Sequence, residues 1–198
     1  MSEGVSVFKP LRTIPLGILA LLLCGICLGI SFFKLVQHRI ASNLQPPLLH
    51  KHPEPASDLV YHSLDQGSVT GQTHHLSETH GQVVLLDLWG TWCVQCVAEM
   101  PTLQRLYDHY RNDPEVRFLI VSRLDASGAV RSYARRNHLD LPFYLTDDSD
   151  IPPAMQLNQF PSTFLYAKDG TLVAKHVGAA DWSDKSVIAF IDNLKLQR

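Results

Sequence analysis

Two cysteines near the middle of the chain carry the strongest chemical signal in the sequence. Cys93 and Cys96 directly follow the apolar run Val83–Trp89 and open a segment whose apolar residues repeat at helical spacing. At the N-terminus of a helix, backbone N–H groups and the helix dipole stabilise a thiolate, which is the species that attacks a disulfide. A second cysteine one turn later then resolves the mixed disulfide. The pattern predicts thiol–disulfide exchange with Cys93 as the nucleophile and Cys96 as the resolving thiol.

Other uses of a C-x-x-C pair fit the sequence less well. A structural zinc site takes four ligands, and the only other pair, Cys24 and Cys27, lies in an apolar N-terminal run where cysteine behaves as a small apolar residue. Covalent haem attachment needs a histidine after the second cysteine, and Val97 stands there. An inert buried pair is the remaining alternative. We therefore expect no metal and no cofactor beyond the redox-active cysteines.

The residues around the cysteines resemble a known family. The segment V-V-L-L-D-L-W-G-T-W-C-V-Q-C-V-A-E-M-P, residues 83–101, looks like the active-site segment of thioredoxins, and more closely that of the membrane-anchored TlpA/ResA/DsbE branch. The segment F-P-S-T-F-L-Y-A-K-D-G-T-L-V, residues 160–173, is similar to the cis-proline strand and hairpin of that branch. The likeness extends to residues 178–182 and covers roughly residues 58–196.

The resemblance implies a thioredoxin fold, a redox-active Cys93–Cys96 disulfide, and reduction or exchange of disulfides outside the cytoplasm. Members typically take electrons from a membrane reductant such as DsbD or CcdA and pass them to apocytochrome c or other oxidised proteins. We therefore expect a single-pass protein of the bacterial inner membrane, facing the periplasm, with a role in cytochrome c biogenesis. With a net charge of −2, the chain lacks the excess of basic residues typical of nucleic-acid-binding proteins, so we expect no nucleic-acid partner.

The same resemblance implies the substrate-binding residues. Pro161 matches the family's cis-proline, beside the cysteines, where the backbone of the preceding residue pairs with an extended substrate. Trp92, Phe160 and Pro161 are therefore predicted to bind substrate, with a trans proline at a strand start as the alternative. Phe160 stands where many relatives carry Thr, Val or Leu, so the specificity of those relatives does not transfer to this chain.

Two acids near the cysteines are candidates for proton transfer. Asp87 lies six residues before Cys93 in an otherwise apolar strand, where thioredoxins carry a buried acid and many TlpA-like proteins carry Asn. Glu99, three residues after Cys96, matches the acid that ResA-like proteins place near their cysteines. Burial raises a carboxyl pKa, so either side chain is suited to exchange a proton with the Cys96 thiol. A structural hydrogen bond for Asp87 and a surface position for Glu99 are the alternatives.

The direction of electron flow is left open by the residues between the cysteines. Val94-Gln95 replaces the Gly-Pro or x-Pro usual in reducing members and carries no charge. A disulfide reductase is the leading hypothesis, and a DsbA-like dithiol oxidase or isomerase is the alternative. A non-catalytic copper-handling module is a third hypothesis, because six of the ten histidines fall within His50–His80. Histidines in such a segment are more often simply solvated.

The hydrophobic pattern predicts the elements that position these residues. Strands are expected at 58–64, 69–76, 83–89, 116–122, 143–145, 162–166 and 172–177, and helices at 93–110, 127–137 and 183–196. Within them, Pro101 should kink or interrupt its helix, Gly170 should take a positive φ in a hairpin, and Ser183 should cap the last helix. The alternation of strands and helices predicts an α/β thioredoxin fold with a mixed central sheet.

A run of twenty uncharged residues, Ile14–Phe33, precedes this domain. As a helix it would span roughly 30 Å, the thickness of the bilayer core, so it predicts a transmembrane helix. A cleaved signal peptide is the alternative, although its apolar region is usually shorter and ends in an Ala-x-Ala-like site. Lys and Arg flank both ends almost equally and leave the orientation open. The predicted organisation is an N-terminal tail at 1–13, the transmembrane helix at 14–33, a flexible linker at 34–57 and the thioredoxin-like domain at 58–198.

Overall fold

The structure is a computed structural model that describes residues 16–49, 54, 57–64, 71–156 and 159–197. The predicted tail at 1–13 and the start of the second predicted strand lie outside these residues. The chain divides into two compact units, residues 1–36 and 37–198.

An apolar helix, α1, runs from Leu16 to Ala41. Its segment Gly17–Ala41 is long and apolar enough to cross a membrane. The helix continues eight residues past the predicted end of the span at Phe33, because residues 34–41 contain good helix formers and neither Gly nor Pro. It ends where the side chains of Ser42 and Asn43 both donate to the carbonyl of Arg39, at 3.1 and 2.8 Å. The first part of the predicted linker is therefore helical, while the division into domains stays a prediction.

A seven-stranded mixed sheet forms the centre of the second unit. Its strands are β1 Val60–Ser63, β2 Thr73–His75, β3 Val83–Trp89, β4 Val116–Arg123, β5 Phe143–Thr146, β6 Ser162–Tyr166 and β7 Leu172–Val177. They lie in the order β2-β1-β5-β4-β3-β6-β7. β3, β4 and β5 are parallel to one another, and the other pairings are antiparallel. The predicted mixed sheet is confirmed.

Three further helices, α2 Val94–Tyr110, α3 Ser127–Arg136 and α4 Lys185–Lys195, contribute to one hydrophobic core. The central strand β3 is buried along its whole length, with alternate residues in two core clusters. Leu85 and Trp89 belong to the cluster that includes the three helices and both active-site cysteines, whereas Leu86 and Leu88 belong to the cluster on the other side. Because side chains alternate along a strand, Asp87 lies on the same face as Leu85 and Trp89.

Two local predictions need correction. α2 is not interrupted at Pro101, since packing of its buried face outweighs the loss of one backbone hydrogen bond, while a kink there stays a prediction. Asp184, not Ser183, caps α4: the Asp184 carboxylate accepts from the Ser186 N–H at 2.8 Å, while the Ser183 hydroxyl donates to Asp181 at 2.6 Å. By contrast, Gly170 has the predicted positive φ, 81°, in the β6–β7 hairpin.

Parts of the predicted linker contact the domain. The Asp181 N–H donates to the carbonyl of Gln45 at 2.8 Å, and Pro47 is buried. Glu54 forms two backbone hydrogen bonds with Leu172, at 3.0 and 3.1 Å. At these points the chain before residue 58 is held by the domain rather than free of it.

Candidate active site

The two cysteines lie where β3 ends and α2 begins. The turn that connects these elements is closed by the Cys93 N–H, which donates to the Gly90 carbonyl at 3.0 Å. Thr91 within the turn donates to Asp125 from both its backbone N–H and its hydroxyl, at 2.7 Å each. The Ser122 hydroxyl donates to the same carboxylate at 2.6 Å. Asp125, which follows β4, therefore anchors the turn that presents the cysteines.

Cys93 and Cys96 form a disulfide, and the two residues differ in exposure. Cys93 is the N-cap residue of α2, and its sulfur accepts a hydrogen bond from the Cys96 N–H at 3.1 Å. It is 8% exposed, whereas Cys96 is fully buried. A partner approaching from solvent therefore reaches the sulfur of Cys93, at the helix end that stabilises a thiolate.

Pro161 lies beside the cysteines because β6 is antiparallel to β3. Ser162, at the start of β6, pairs with Leu88, near the end of β3, so the residue before it falls next to the turn that carries Cys93. The Phe160–Pro161 peptide bond is cis, as predicted, and the Pro161 carbonyl accepts from the Gly178 N–H at 2.9 Å. An open groove runs across this region, lined by Trp92, Cys93, Val94, Gln95, Gln159, Phe160, Val177 and Gly178.

An aromatic pair forms one part of this groove. The rings of Trp92 and Phe160 meet edge to face with centroids 5.3 Å apart, and Trp92 is half exposed. The guanidinium of Arg123 lies 5.4 Å from the centroid of the Phe160 ring and pairs with Asp148 at 2.5 Å. The Trp92 indole N–H donates to the Arg123 carbonyl at 3.3 Å. Sequence reasoning missed Arg123, whose only signal was its position at the carboxyl end of a core strand.

Asp87 is fully buried, on the face of the sheet whose core cluster includes both cysteines. Its Oδ1 accepts from the Thr163 hydroxyl at 2.9 Å, and its Oδ2 has no hydrogen-bond partner among the described residues. Burial raises the pKa of Asp87 to about 7, against the opposing effect of the Thr163 hydrogen bond. Asp87 is thus suited to bind and release a proton near neutral pH.

Glu99 is also fully buried, which excludes the surface position considered from the sequence. Its Oε2 accepts from the Ala180 N–H and from the Trp182 indole N–H, both at 2.9 Å. Burial raises the pKa of Glu99 well above its usual value, and the negative charge of Asp87 raises it further, while the two hydrogen bonds oppose this. The hydrogen bonds of Thr163, Ala180 and Trp182 to the two acids were not predicted from the sequence, because each joins residues remote along the chain.

The described histidines of the His50–His80 segment make contacts of their own. His62 approaches Asp147 and Asp150, with ligand atoms of the three residues within 4.8 Å of one another, a set that offers nitrogen and oxygen donors to a metal ion. His74 instead contacts the Ser63 hydroxyl at 2.8 Å, and His75 contacts Asp58 at 3.0 Å. His50 and His52 lie outside the described residues. Cys24 and Cys27 are free and exposed on α1.

Comparison with known proteins identifies the family. The family model described as Redoxin matches residues 54–189. Thiol-disulfide oxidoreductase ResA of Geobacillus kaustophilus is 34% identical over 100 residues, which cover 50% of this chain and 57% of that protein. ResA of Bacillus cereus is 30% identical over 108 residues, or 54% of this chain and 62% of that protein. The match therefore spans less than two thirds of the length of these curated relatives.

Solved structures show the same fold. A thiol-disulfide oxidoreductase of Bacteroides vulgatus, so described in its structural report, superposes with a TM-score of 0.59 and 25% identity, covering 72% of this chain and 96% of that one. A structure from Chlorobium tepidum, described as thiol:disulfide interchange protein DsbE, gives a TM-score of 0.58 at 20% identity, covering 75% of this chain and 99% of that one. The chain therefore belongs to the Redoxin family, as a thioredoxin-like protein of the TlpA/ResA/DsbE type.

Proposed function

We propose that this chain is a membrane-anchored thiol–disulfide oxidoreductase that reduces disulfides of extracytoplasmic proteins. The observation that carries the proposal is the unequal exposure of two disulfide-bonded cysteines at a helix N-terminus, of which Cys93 lines the groove. Cys93 is reachable and caps α2, whereas Cys96 is fully buried one turn further on. This arrangement supports attack on a partner through Cys93 and resolution from within through Cys96.

The proposed reaction exchanges one dithiol for one disulfide. In the reduced chain the Cys93 thiolate attacks a substrate disulfide; a bond forms to one substrate sulfur, and the other leaves as a thiolate and takes up a proton. Cys96 then loses its proton, and its thiolate attacks the Cys93 sulfur. The Cys93–Cys96 disulfide forms and the second substrate thiolate is released and protonated. The substrate gains two electrons, and an external dithiol must return the chain to its reduced form.

Asp87 and Glu99 support the proton step. The Cys96 thiol is buried, so water is poorly placed to remove its proton. A general base is most effective when its pKa lies near the pH at which the enzyme works. Asp87 meets this condition, because burial raises its pKa to about 7. Glu99 lies three residues after Cys96 on α2, on the same side of the helix, and is equally buried.

The substrate is proposed to bind as an extended segment along the groove beside Pro161. Strand-like pairing with the backbone before a proline places a substrate disulfide next to Cys93. Trp92 and Phe160 supply aromatic surface on the same groove. Oxidised proteins, including apocytochrome c, are the proposed substrates, and a membrane dithiol donor of DsbD or CcdA type is the proposed source of electrons. We place the protein in the bacterial inner membrane, with α1 as a single span and the catalytic domain in the periplasm.

Trapping tests the division of labour between the cysteines. In the full chain, Cys96→Ser should accumulate mixed disulfides through Cys93, because the step that releases the substrate is removed. Mass spectrometry of the trapped species identifies the partner protein. Cys93→Ser is the matched control and should trap nothing, since the buried sulfur does not reach a partner. Equal trapping by both variants would contradict the proposal.

The reduction potential tests the direction of electron flow. A midpoint near that of thioredoxin, about −270 mV, supports a reductase, because such a dithiol is a good electron donor. A midpoint near that of DsbA, about −120 mV, would overturn the reductase in favour of a dithiol oxidase. Redox titration of the full chain in glutathione and dithiothreitol buffers, read by thiol alkylation, distinguishes the two.

A further inference from the structure

The segment Ala180–Trp182 is attached to α2 by a set of buried hydrogen bonds. The Thr102 hydroxyl is 3.2 Å from the Ala180 carbonyl, and the Trp182 N–H donates to the Thr102 hydroxyl at 3.1 Å. One helical turn earlier, the Ala180 N–H and the Trp182 indole N–H converge on one carboxylate oxygen of Glu99. The loop and two side chains of the active-site helix therefore hold one another in a single arrangement.

The indole of Trp182 packs in the core and also donates a hydrogen bond to a carboxyl group. Trp182 is fully buried, and a buried indole N–H needs an acceptor, which a backbone carbonyl commonly provides. Here the acceptor is Oε2 of a buried carboxyl group, three residues after Cys96. The other oxygen, Oε1, has no hydrogen-bond partner within the described part of the chain. One oxygen of Glu99 is thus held by two donors while the second stays free to bind a proton.

We infer that Trp182 is a positioning residue for Glu99: its indole N–H fixes the carboxyl group so that Oε1 exchanges a proton with the Cys96 thiol. This inference deepens the proposed function and rests on it. In this role Trp182 acts through Glu99, to which its indole N–H donates. A side chain without a donor at this position would leave Oε2 with the Ala180 N–H as its remaining donor among the described residues.

The titratable groups around Glu99 set the sign of the expected effect. Asp87 faces it from β3, Cys96 lies on its own helix, and His176 on β7 packs edge to face on the Trp182 ring with centroids 5.8 Å apart. A hydrogen bond from Trp182 favours the ionised carboxylate, so removing it favours the protonated form. The protonation midpoint of Glu99 should therefore rise when the indole N–H is lost. The shift should be about one pH unit, the scale of one hydrogen bond to a charged group.

Carboxyl NMR of the full chain in detergent micelles measures this midpoint directly. The chain has only five glutamates, so carboxyl-labelled glutamate gives few signals, and Glu99→Gln identifies the one that belongs to Glu99. Trp182→Phe keeps an aromatic ring and removes the N–H, and we expect it to raise the Glu99 midpoint by about one unit. Trp89→Phe is the matched control: Trp89 is equally buried, and its indole N–H has no partner in the described residues. An unchanged midpoint in Trp182→Phe, or an equal shift in Trp89→Phe, would overturn the inference.

A measurement on the unmodified chain covers the case in which Trp182→Phe does not fold. The chain has three tryptophans and so three indole N–H signals. One of them should titrate with the same midpoint as Glu99 and lose that titration in Glu99→Gln. If none follows Glu99, Trp182 has no positioning role.

The activity profile separates failure of the inference from failure of the proposed function. With insulin as the disulfide and dithiothreitol as the reductant, kcat/KM of Trp182→Phe should show the same upward shift of its pH midpoint. In a Glu99→Gln background, Trp182→Phe should move the profile no further. A parental chain that reduces no disulfide defeats the proposed function, whereas an active parent with an unshifted Trp182→Phe profile defeats only the inference.

Discussion

Asp87 occupies a position in β3 whose neighbours on the same face, Leu85 and Trp89, are apolar and fully buried. A carboxylate there loses its hydration and receives one hydrogen bond in return, from Thr163. Such a residue reduces the stability of the folded protein whenever it is ionised. Its presence in the central strand is consistent with a chemical role, because an amide or apolar side chain would serve packing better.

The cost of burying Asp87 predicts a particular pH dependence of stability. The folded-state pKa, about 7, lies above the unfolded value of 3.8, so between these pH values the folded chain binds more protons than the unfolded chain. The free energy of unfolding should therefore fall as pH rises from about 4 to 7, by a few kcal/mol. Asp87→Asn should remove this part of the loss. Between pH 5 and pH 8 the free energy of unfolding of the oxidised variant should therefore fall less than that of the parent.

Urea unfolding of the oxidised full chain in detergent at pH 5 and pH 8, followed by tryptophan fluorescence, measures this difference. Asp147→Asn, at an exposed aspartate after β5, is the matched control and should follow the parent. Asp87→Asn also removes the negative charge that raises the pKa of Glu99, so the pH dependence from Glu99 weakens in the same variant and in the same direction. Parallel curves for the parent and Asp87→Asn would show that Asp87 is not the group that titrates.

At the scale of the elements, strands were more predictable than side-chain partners. β3 could be read from seven consecutive positions of which six are apolar, and the start of α2 from the cysteines that follow it. The burial of Glu99 could not be predicted, because the groups that cover it follow 81 and 83 residues later in the chain. The Asp87–Thr163 hydrogen bond likewise depends on the register of β3 against β6, which no local pattern reveals.

The start of α4 illustrates the same limit at short range. Ser183 and Asp184 are both good N-cap residues, so residue type does not choose between them. The choice is made by Asp181, whose carboxylate accepts from both the N–H and the hydroxyl of Ser183 and so draws that side chain away from the helix. Asp184 then accepts from the Ser186 N–H and hydroxyl.

The cap assignment predicts a difference between two neighbouring substitutions. Asp184→Ala should lower the melting temperature of the full chain in detergent at pH 7 by a few degrees, because an orphan N–H of α4 loses its acceptor. Ser183→Ala should lower it less, since the cap stays in place. Near-UV circular dichroism follows the melting of the domain without interference from α1. A larger effect of Ser183→Ala would mean that α4 is capped as the sequence first indicated.

At the scale of the whole molecule, the sheet topology explains why the active-site residues lie at one edge of the sheet. β3 and β4 are parallel, so the turn with Cys93 and the anchoring Asp125 follow neighbouring carboxyl ends. β6 is antiparallel to β3, so Pro161 enters the sheet at that same edge. The turn with the cysteines, the anchoring Asp125 and the segment with Pro161 thus come from three separate parts of the chain, while the buried acids lie on β3 and α2.

The apolar helix α1 predicts how the chain partitions in cells. If α1 is a retained membrane span, the full-length chain should stay in the membrane pellet after alkaline carbonate extraction, with an intact mass that includes residues 1–33. Leu22→Arg combined with Leu23→Arg should release it or block its insertion, because each Arg at the centre of a span costs about 3 kcal/mol. Leu48→Arg is the matched control: this leucine is also exposed but follows α1, so the chain should remain in the pellet. A parental chain that is soluble and lacks its first thirty or so residues would instead identify α1 as a cleaved signal peptide.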